Sequence, residues 1–258
     1  MDLTRLLEDV KTGNIDIDEA VKQIRINNLH TLENVACIDP HRARRTGIPE
    51  AVYAPGKTID DLVGIALSHF EHESTVIITR VSDEQLEALK QKHPVEWNRH
   101  ARIAILRKGG SHVESTGGVI GIITAGTVDI PVAEEAKVIA QEMGVTVHTI
   151  YDVGAAGIHR LFPGLAEMVE KGVDAIVVAA GREGTLPTIV SGLVDVPVIG
   201  VPVSSGYGAG GGGKAALHTM LQSCSVLSVV NIDAGFVAGA FAARIANMLA
   251  KARGKDQE

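Results

Sequence analysis

Beyond residue 118 the chain alternates between short apolar runs and longer stretches whose apolar positions recur every three or four residues. The runs fall at 119–124, 145–151, 174–180, 197–203 and 226–232. Helical patterns occupy 131–143, 159–170, 186–193, 214–224 and 236–251. The runs are continuous in Val, Ile and Ala rather than alternating, the pattern of strands covered on both faces. Strand–helix alternation then predicts right-handed βαβ crossovers and an α/β fold with a doubly wound parallel sheet, flavodoxin- or Rossmann-like. The last helical stretch is apolar on nearly all faces and rich in Gly and Ala, so something must cover it. Intrachain packing and a second subunit serve equally well.

The first half is less regular. Amphipathic patterns at 2–10 and 16–26 predict two helices. An apolar run at 35–38 precedes a loop over 39–57 that is dense in Arg, Gly and Pro. A helix (59–72), a strand (75–79), a helix (83–92) and a strand (102–106) complete a smaller α/β unit. Residues 107–118 read as the hinge. The division is thus 1–115, an N-terminal α/β domain capping the substrate, and 116–258, the doubly wound domain.

Open α/β sheets bind ligands beyond the carboxyl ends of their strands. Those ends carry TAGTVD (124–129), DVGAAGIHR (152–160), GREGT (181–185), SSGYGAGGGG (204–213) and NIDAG (231–235), all rich in small and polar residues. The run from Gly208 to Gly213 satisfies G-x-G-x-x-G, with Asp233 at the distance of a ribose-binding acid. It lies in a loop of about ten residues, not in the tight turn after a first strand, so a flexible substrate-enclosing loop is the favoured reading over a dinucleotide fingerprint. The same run nearly matches a phosphate-binding loop, but Ala215 stands where Ser or Thr would hold magnesium. His69 and His72 lack zinc-ligand spacing and are expected exposed at a helix end. Glu183, between two glycines at a strand end, has no packing task. Cys224 is expected at a helix C-terminus, where the dipole disfavours a thiolate. Taken alone it reads as inert. Arg42, Arg44 and Arg45 form a loop cluster, solvated by default and suited to phosphate otherwise.

Composition narrows the classes. A net charge of −7 argues against a nucleic-acid surface. No apolar run approaches the ~20 residues of a membrane span, and no apolar leader follows Met1. Two cysteines are too few for a disulfide framework. A cytoplasmic enzyme with no membrane or nucleic-acid partner is expected. Residues 1–115 hold 15 of the 24 Lys+Arg and 18 of the 31 Asp+Glu, so the charge is concentrated away from the doubly wound half.

The second half resembles PurE, the aminoimidazole ribonucleotide carboxylase/mutase family. The likeness rests on TAGTVD, on His159-Arg160, and on GTLPTIVSGLVDVPVIGVP (184–202). It departs at Ala125, Gly126 and Thr127, where that family has a serine-rich loop, and at Gly157-Ile158 before His159. These departures, with DPHRARRTGIPEAVY (39–53), Gly56-Lys57-Thr58, Gly181-Arg182-Glu183-Gly184, Ser205-Gly206-Tyr207-Gly208, Ser223-Cys224 and 230–236, resemble the LarB family. That resemblance implies carboxylation of the pyridinium ring of nicotinic acid adenine dinucleotide by CO2 or bicarbonate. It also implies hydrolysis of the phosphoanhydride with release of AMP, in the synthesis of a nickel-pincer nucleotide. It makes Cys224 the nucleophile and Glu183 the base, with magnesium assisting hydrolysis and an octamer like that of PurE. Thr127, Asp129, His159, Arg160, Arg182, Ser205, Gly206, Tyr207 and Gly208 are then expected around the substrate. Asp39, Arg42, Arg45 and Lys57 would close over its phosphates. The alternatives are a PurE-type mutase, a nicotinamide-dependent dehydrogenase using the Gly208–Gly213 loop, and a non-catalytic nucleotide binder.

Overall fold

The computed structural model describes residues 3–26, 30–32, 36–38, 42, 46–109 and 111–255. Asp39, Arg44 and Arg45 lie outside them. Two amphipathic helices, α1 (Leu3–Lys11) and α2 (Ile17–Ile26), come first. An antiparallel ribbon follows, β1 (His30–Leu32) with β2 (Ala36–Ile38). A four-stranded mixed sheet of order β3-β4-β6-β5 comes next. It is built from β3 (Ala51–Tyr53), α3 (Ile59–His72), β4 (Thr75–Thr79), α4 (Asp83–Lys92), β5 (Glu96–Asn98) and β6 (Ile103–Arg107). Its helices start where their caps dictate. Thr58 accepts the Asp61 N–H, and Ser82 with Gln85 forms a reciprocal capping box. The buried Gln85 amide also donates to the carbonyls of Ala54 and Lys57, fixing the turn after β3.

The larger sheet comprises β7 (Val119–Thr124), β8 (Thr146–Ile150), β9 (Ala175–Ala180), β10 (Val198–Pro202) and β11 (Ser228–Val229). All are parallel, in the order β11-β10-β9-β7-β8. Its helices are α5 (Ile130–Glu142), α6 (Leu161–Glu170), α7 (Leu186–Ser191), α8 (Lys214–Leu221) and α9 (Gly235–Lys255). The strand order reverses between β7 and β9, so the crevice for a ligand opens above that pair. β9 is buried along its whole length, as its unbroken AIVVAA demands.

One helix serves two layers. α5 packs on the large sheet through Ala133, Ala136 and Ile139, and the same core cluster takes in Ile77, Ile103 and Ile105 of the small sheet. Polar ties reinforce the seam. Arg80 Nε lies 3.0 Å from Glu135, Asn98 donates to Glu134 at 3.0 Å, and Arg107 donates to Glu142 at 2.8 Å. α9 covers the other flank of α5: a Cβ on Gly239 would sit 2.3 Å from the Ala136 carbonyl oxygen. The apolar last helix is therefore covered from within the chain, with Val237, Phe241 and Met248 left exposed.

Several expectations shift. β3 and β5 are absent from the sequence reading because three residues carry too little periodicity. The run 226–232 pairs only at Ser228 and Val229, and α8 stops at Leu221, so Cys224 lies beyond the helix. His69 is 3% exposed, not solvated. The end of the segment read as a hinge is held to the large domain: the Thr116 N–H donates to Gly144, and Gly118 lies against the Ala246 backbone. Among the described residues, no helix is long and apolar enough to cross a membrane.

Candidate active site

The segments leaving β7, β9 and β10 meet above the strand-order reversal. Asp129 closes a short 3-10 turn (Thr127–Asp129) and is only 2% exposed. Its Oδ2 accepts the Gly126 N–H at 2.8 Å and its Oδ1 accepts the Ser205 hydroxyl at 3.1 Å. Burial holds the carboxyl above its usual value, against hydrogen bonds from Gly126, Ser205 and Gly181, and the nearby Asp233 pushes it the same way. Position 181 must be glycine for this to form. A Cβ there would lie 2.4 Å from Ser205 Oγ and 3.1 Å from Asp129 Oδ1.

Next to this knot, Arg182 has φ 52° and its guanidinium stands 4.5 Å from the Tyr207 ring, which is 74% exposed. Gly206 lets that loop approach: a Cβ would be 3.2 Å from the Arg182 nitrogen. Asp233, leaving β11 at φ 56°, accepts the Ser204 N–H at 2.8 Å. Asp152, leaving β8 at φ 60°, pairs with Arg160 at 2.8 Å. His159 and Arg160 are both exposed on that turn. Three of the strand ends thus hold a non-glycine residue in left-handed backbone, each costing of order 1 kcal/mol. Such strain is retained where the neighbouring packing aims a side chain.

The structure joins Asp129 to Ser205 and Arg182 to Tyr207, with Thr127, Glu183, Gly206 and Gly208 on the same loops. Gly213 is left-handed and its missing Cβ makes room for Ile232, so the glycine run is a loop after the fourth strand of the large sheet rather than a first-strand turn. Arg42 is exposed and its carbonyl accepts the Thr46 hydroxyl; Lys57 lies on the turn after β3. Neither lines the cleft over the strand ends. From the small domain that cleft takes Arg80, His100 and Arg102. None of these three was marked from sequence, although Arg80 directly follows a strand and obeys the same carboxyl-end rule.

Glu183 and Cys224 do not meet within one chain. Glu183 is exposed on the segment leaving β9, whereas Cys224 is exposed on the segment entering β11, at the opposite edge of a parallel sheet. Beside it, the Ser223 hydroxyl is bonded to Thr188 on α7 at 2.9 Å.

Comparison with known proteins agrees with this architecture. Residues 29–108 match the model of the LarB/PurE-like N-terminal domain, and residues 119–255 match that of AIR carboxylase. The chain belongs to the LarB family. An uncharacterized protein of Methanocaldococcus jannaschii is 44% identical over 256 residues, covering 96% of this LarB-family chain and 98% of that protein. The N5-carboxyaminoimidazole ribonucleotide mutase of Pyrococcus horikoshii is 34% identical over 91 residues, 34% of this chain and 49% of the mutase. The phosphoribosylaminoimidazole carboxylase of Saccharomyces cerevisiae is 29% identical over 104 residues, 40% of this chain and 18% of that enzyme. Membership in the LarB family, with its AIR carboxylase domain, makes the chain an enzyme of carboxylase type.

Proposed function

We propose that the chain carboxylates C5 of the pyridinium ring of nicotinic acid adenine dinucleotide and hydrolyses its phosphoanhydride, releasing AMP and a dicarboxylated mononucleotide. A pyridinium is electron-poor, so its C5 does not attack CO2. Addition of the Cys224 thiolate to C4 forms a carbon–sulfur bond and converts the ring to a dihydropyridine with enamine character at C5. C5 then attacks CO2. Glu183 removes the C5 proton as the carbon–sulfur bond breaks, the thiolate leaves, and aromaticity returns. The net change is C–H plus CO2 to carboxylate plus a proton, with no redox partner.

The observation that carries this reading is the position of Cys224. Free cysteine is among the most buried residue types, yet this thiol is exposed. Because Glu183 sits at the other edge of the sheet, the reading needs two copies of the chain, one supplying the sulfur and the other the base. An octamer by family resemblance meets that need. Magnesium finds no ready cage: among the described residues no three His, Cys, Asp or Glu side chains converge, and Asp129 and Glu135 are engaged with Ser205 and Arg80.

The likeness to ribonucleotide mutases favours a second reading, action on an imidazole ribonucleotide, which needs no cysteine. Labelled bicarbonate supplied with nicotinic acid adenine dinucleotide, followed by mass analysis, separates the two. The expected product carries one added carboxyl group, and Cys224→Ala abolishes it. Full carboxylation by Cys224→Ala would refute the covalent route.

A further inference from the structure

Arg80 directly follows β4, and its guanidinium divides between two elements of the large domain. Nε donates to Glu135 Oε1 on α5 at 3.0 Å, and Nη2 donates to the backbone carbonyl of Asp233, on the turn between β11 and α9. Both ends of that second contact are strained, since Arg80 and Asp233 each stand in left-handed backbone at φ 56°. Strain of this kind persists where the surroundings over-determine the conformation.

The Asp233 turn passes this hold onward. Its N–H donates to the Pro202 carbonyl at 2.9 Å, and its Oδ1 accepts the Ser204 N–H at 2.8 Å. The next residue, Ser205, donates to the buried Asp129. An unbroken series of contacts therefore runs from the small domain, through the 231–234 turn, to the start of the glycine-rich loop and the carboxyl beneath it. Arg107, also on the seam, makes no such series. It pairs with Glu96 on β5 and with Glu142 at the end of α5, where that helix has returned to the amino edge of the sheet. Charge links the same groups. Burial pushes the Glu135 carboxyl up, Asp233 adds to that by repulsion, and the Arg80 pair opposes both. Asp233 repels Asp129 likewise. Tyr53 faces the cluster from β3, and His100 and Arg102 face it from the turn before β6. Without Arg80, Glu135 and Asp233 repel each other with no bonded cation between them, which drives α5 and the 231–234 turn apart.

We propose that Arg80 is a positioning residue of the active site: it holds the Asp233 turn, and through it the Ser204–Ser205 end of the glycine-rich loop, in register with Asp129. It does this through protein contacts alone. The small domain thereby sets the geometry of loops that the large domain carries. Which reaction those loops serve rests on the proposed function, whereas the hold of Arg80 on them does not.

Amide hydrogen exchange of the full chain, read by mass spectrometry, tests it in Arg80→Ala against Arg107→Ala. Both variants lose an ion pair of the seam, but only the first loses the connection to the loop. In Arg80→Ala, peptides covering 203–206 and 231–235 are expected to exchange about tenfold faster, the worth of one hydrogen bond. In Arg107→Ala they are expected to exchange as in the wild type. Guanidinium ion at millimolar concentration, which fills the place of the lost side chain, is expected to restore protection to Arg80→Ala. Arg80→Gly, which accepts φ 56° without strain, takes its place if the alanine variant fails to fold. With the dinucleotide and bicarbonate, kcat is expected to fall by about 100-fold in Arg80→Ala, with KM changed far less, as for misplaced reacting groups. Unchanged loop protection in Arg80→Ala, or equal loss in Arg107→Ala, overturns the proposal. A chain that never carboxylates the dinucleotide, yet loses protection in Arg80→Ala alone, refutes the function and keeps the positioning role. One that carboxylates it with wild-type kcat after Arg80→Ala refutes the positioning role alone.

Discussion

Replacing Gly181 with alanine adds a single methyl group at the tightest point of the site. The new Cβ would stand 2.4 Å from Ser205 Oγ, whereas ordinary contacts begin near 3.4 Å, so the hydroxyl must retreat by about 1 Å. The Ser205–Asp129 hydrogen bond, 3.1 Å long, then exceeds hydrogen-bonding distance. A bond to a charged and buried acceptor is worth about 2 kcal/mol, which for a chain of this size lowers the unfolding temperature by roughly 4–8 °C. Calorimetric melting of Gly181→Ala, Ser205→Gly and the double variant completes a cycle. Each single variant loses the same bond, so each is expected to melt lower by a similar amount. The double variant, freed of the Ser205 clash and left with the milder 3.1 Å approach to Asp129, is expected to melt close to Ser205→Gly. Additive losses in the double variant would show that the methyl group disturbs something other than Ser205, and the account of position 181 would fail.

Two other outcomes follow from the geometry. Mixing Cys224→Ala chains with Glu183→Gln chains during assembly is expected to restore about a quarter of wild-type carboxylation, since only sites drawing sulfur and base from different intact sources work. No recovery from mixed oligomers would place both groups in one chain. Asp129 holds its proton more tightly folded than unfolded, so its contribution to stability is greatest below the ordinary aspartate range and is lost as pH rises through the folded value. Asp129→Asn should flatten that part of the melting-temperature-against-pH curve, leaving the slope of the same sign from Glu135; an unchanged curve argues against a buried, proton-retaining Asp129.

The parallel sheet was legible because β7, β9 and β10 are continuous apolar runs, whereas edge strand β8 is broken by Thr146, His148 and Thr149, and the helix bounds agree to within a few residues. β11 was overdrawn, since apolar composition at 226–232 says nothing of the partner that only Ile199 and Gly200 provide. The loops of the site were legible from the carboxyl-end rule alone. Their internal order was not. That Asp129 turns inward while Thr127 faces solvent depends on a 3-10 turn, and that Arg182 and Asp233 adopt left-handed backbone depends on long-range packing, neither of which leaves a local signal. Arg80 and Arg102 escaped notice for a related reason: the small domain was read for loop cations, while its site-facing cations follow strand ends and tight turns. The separation of Cys224 from Glu183 is a fact of topology, visible only once the helix before Cys224 is seen to carry the chain back toward the amino edge.

The doubly duty-bound helix α5 has a kinetic consequence. Swinging the small domain away would strip Glu134 and Glu135, both nearly buried, of their Asn98 and Arg80 partners and leave carboxylates facing a torn apolar seam. Opening of that kind would also expose Ile77, Ile103 and Ile105 of the shared core to water, at a cost on the order of 5 kcal/mol, so a substrate enters a groove whose two walls already stand at their working separation. Admission and release then fall to the glycine-rich 204–213 segment, and the turnover rate should follow the suppleness of that loop rather than any hinge between domains.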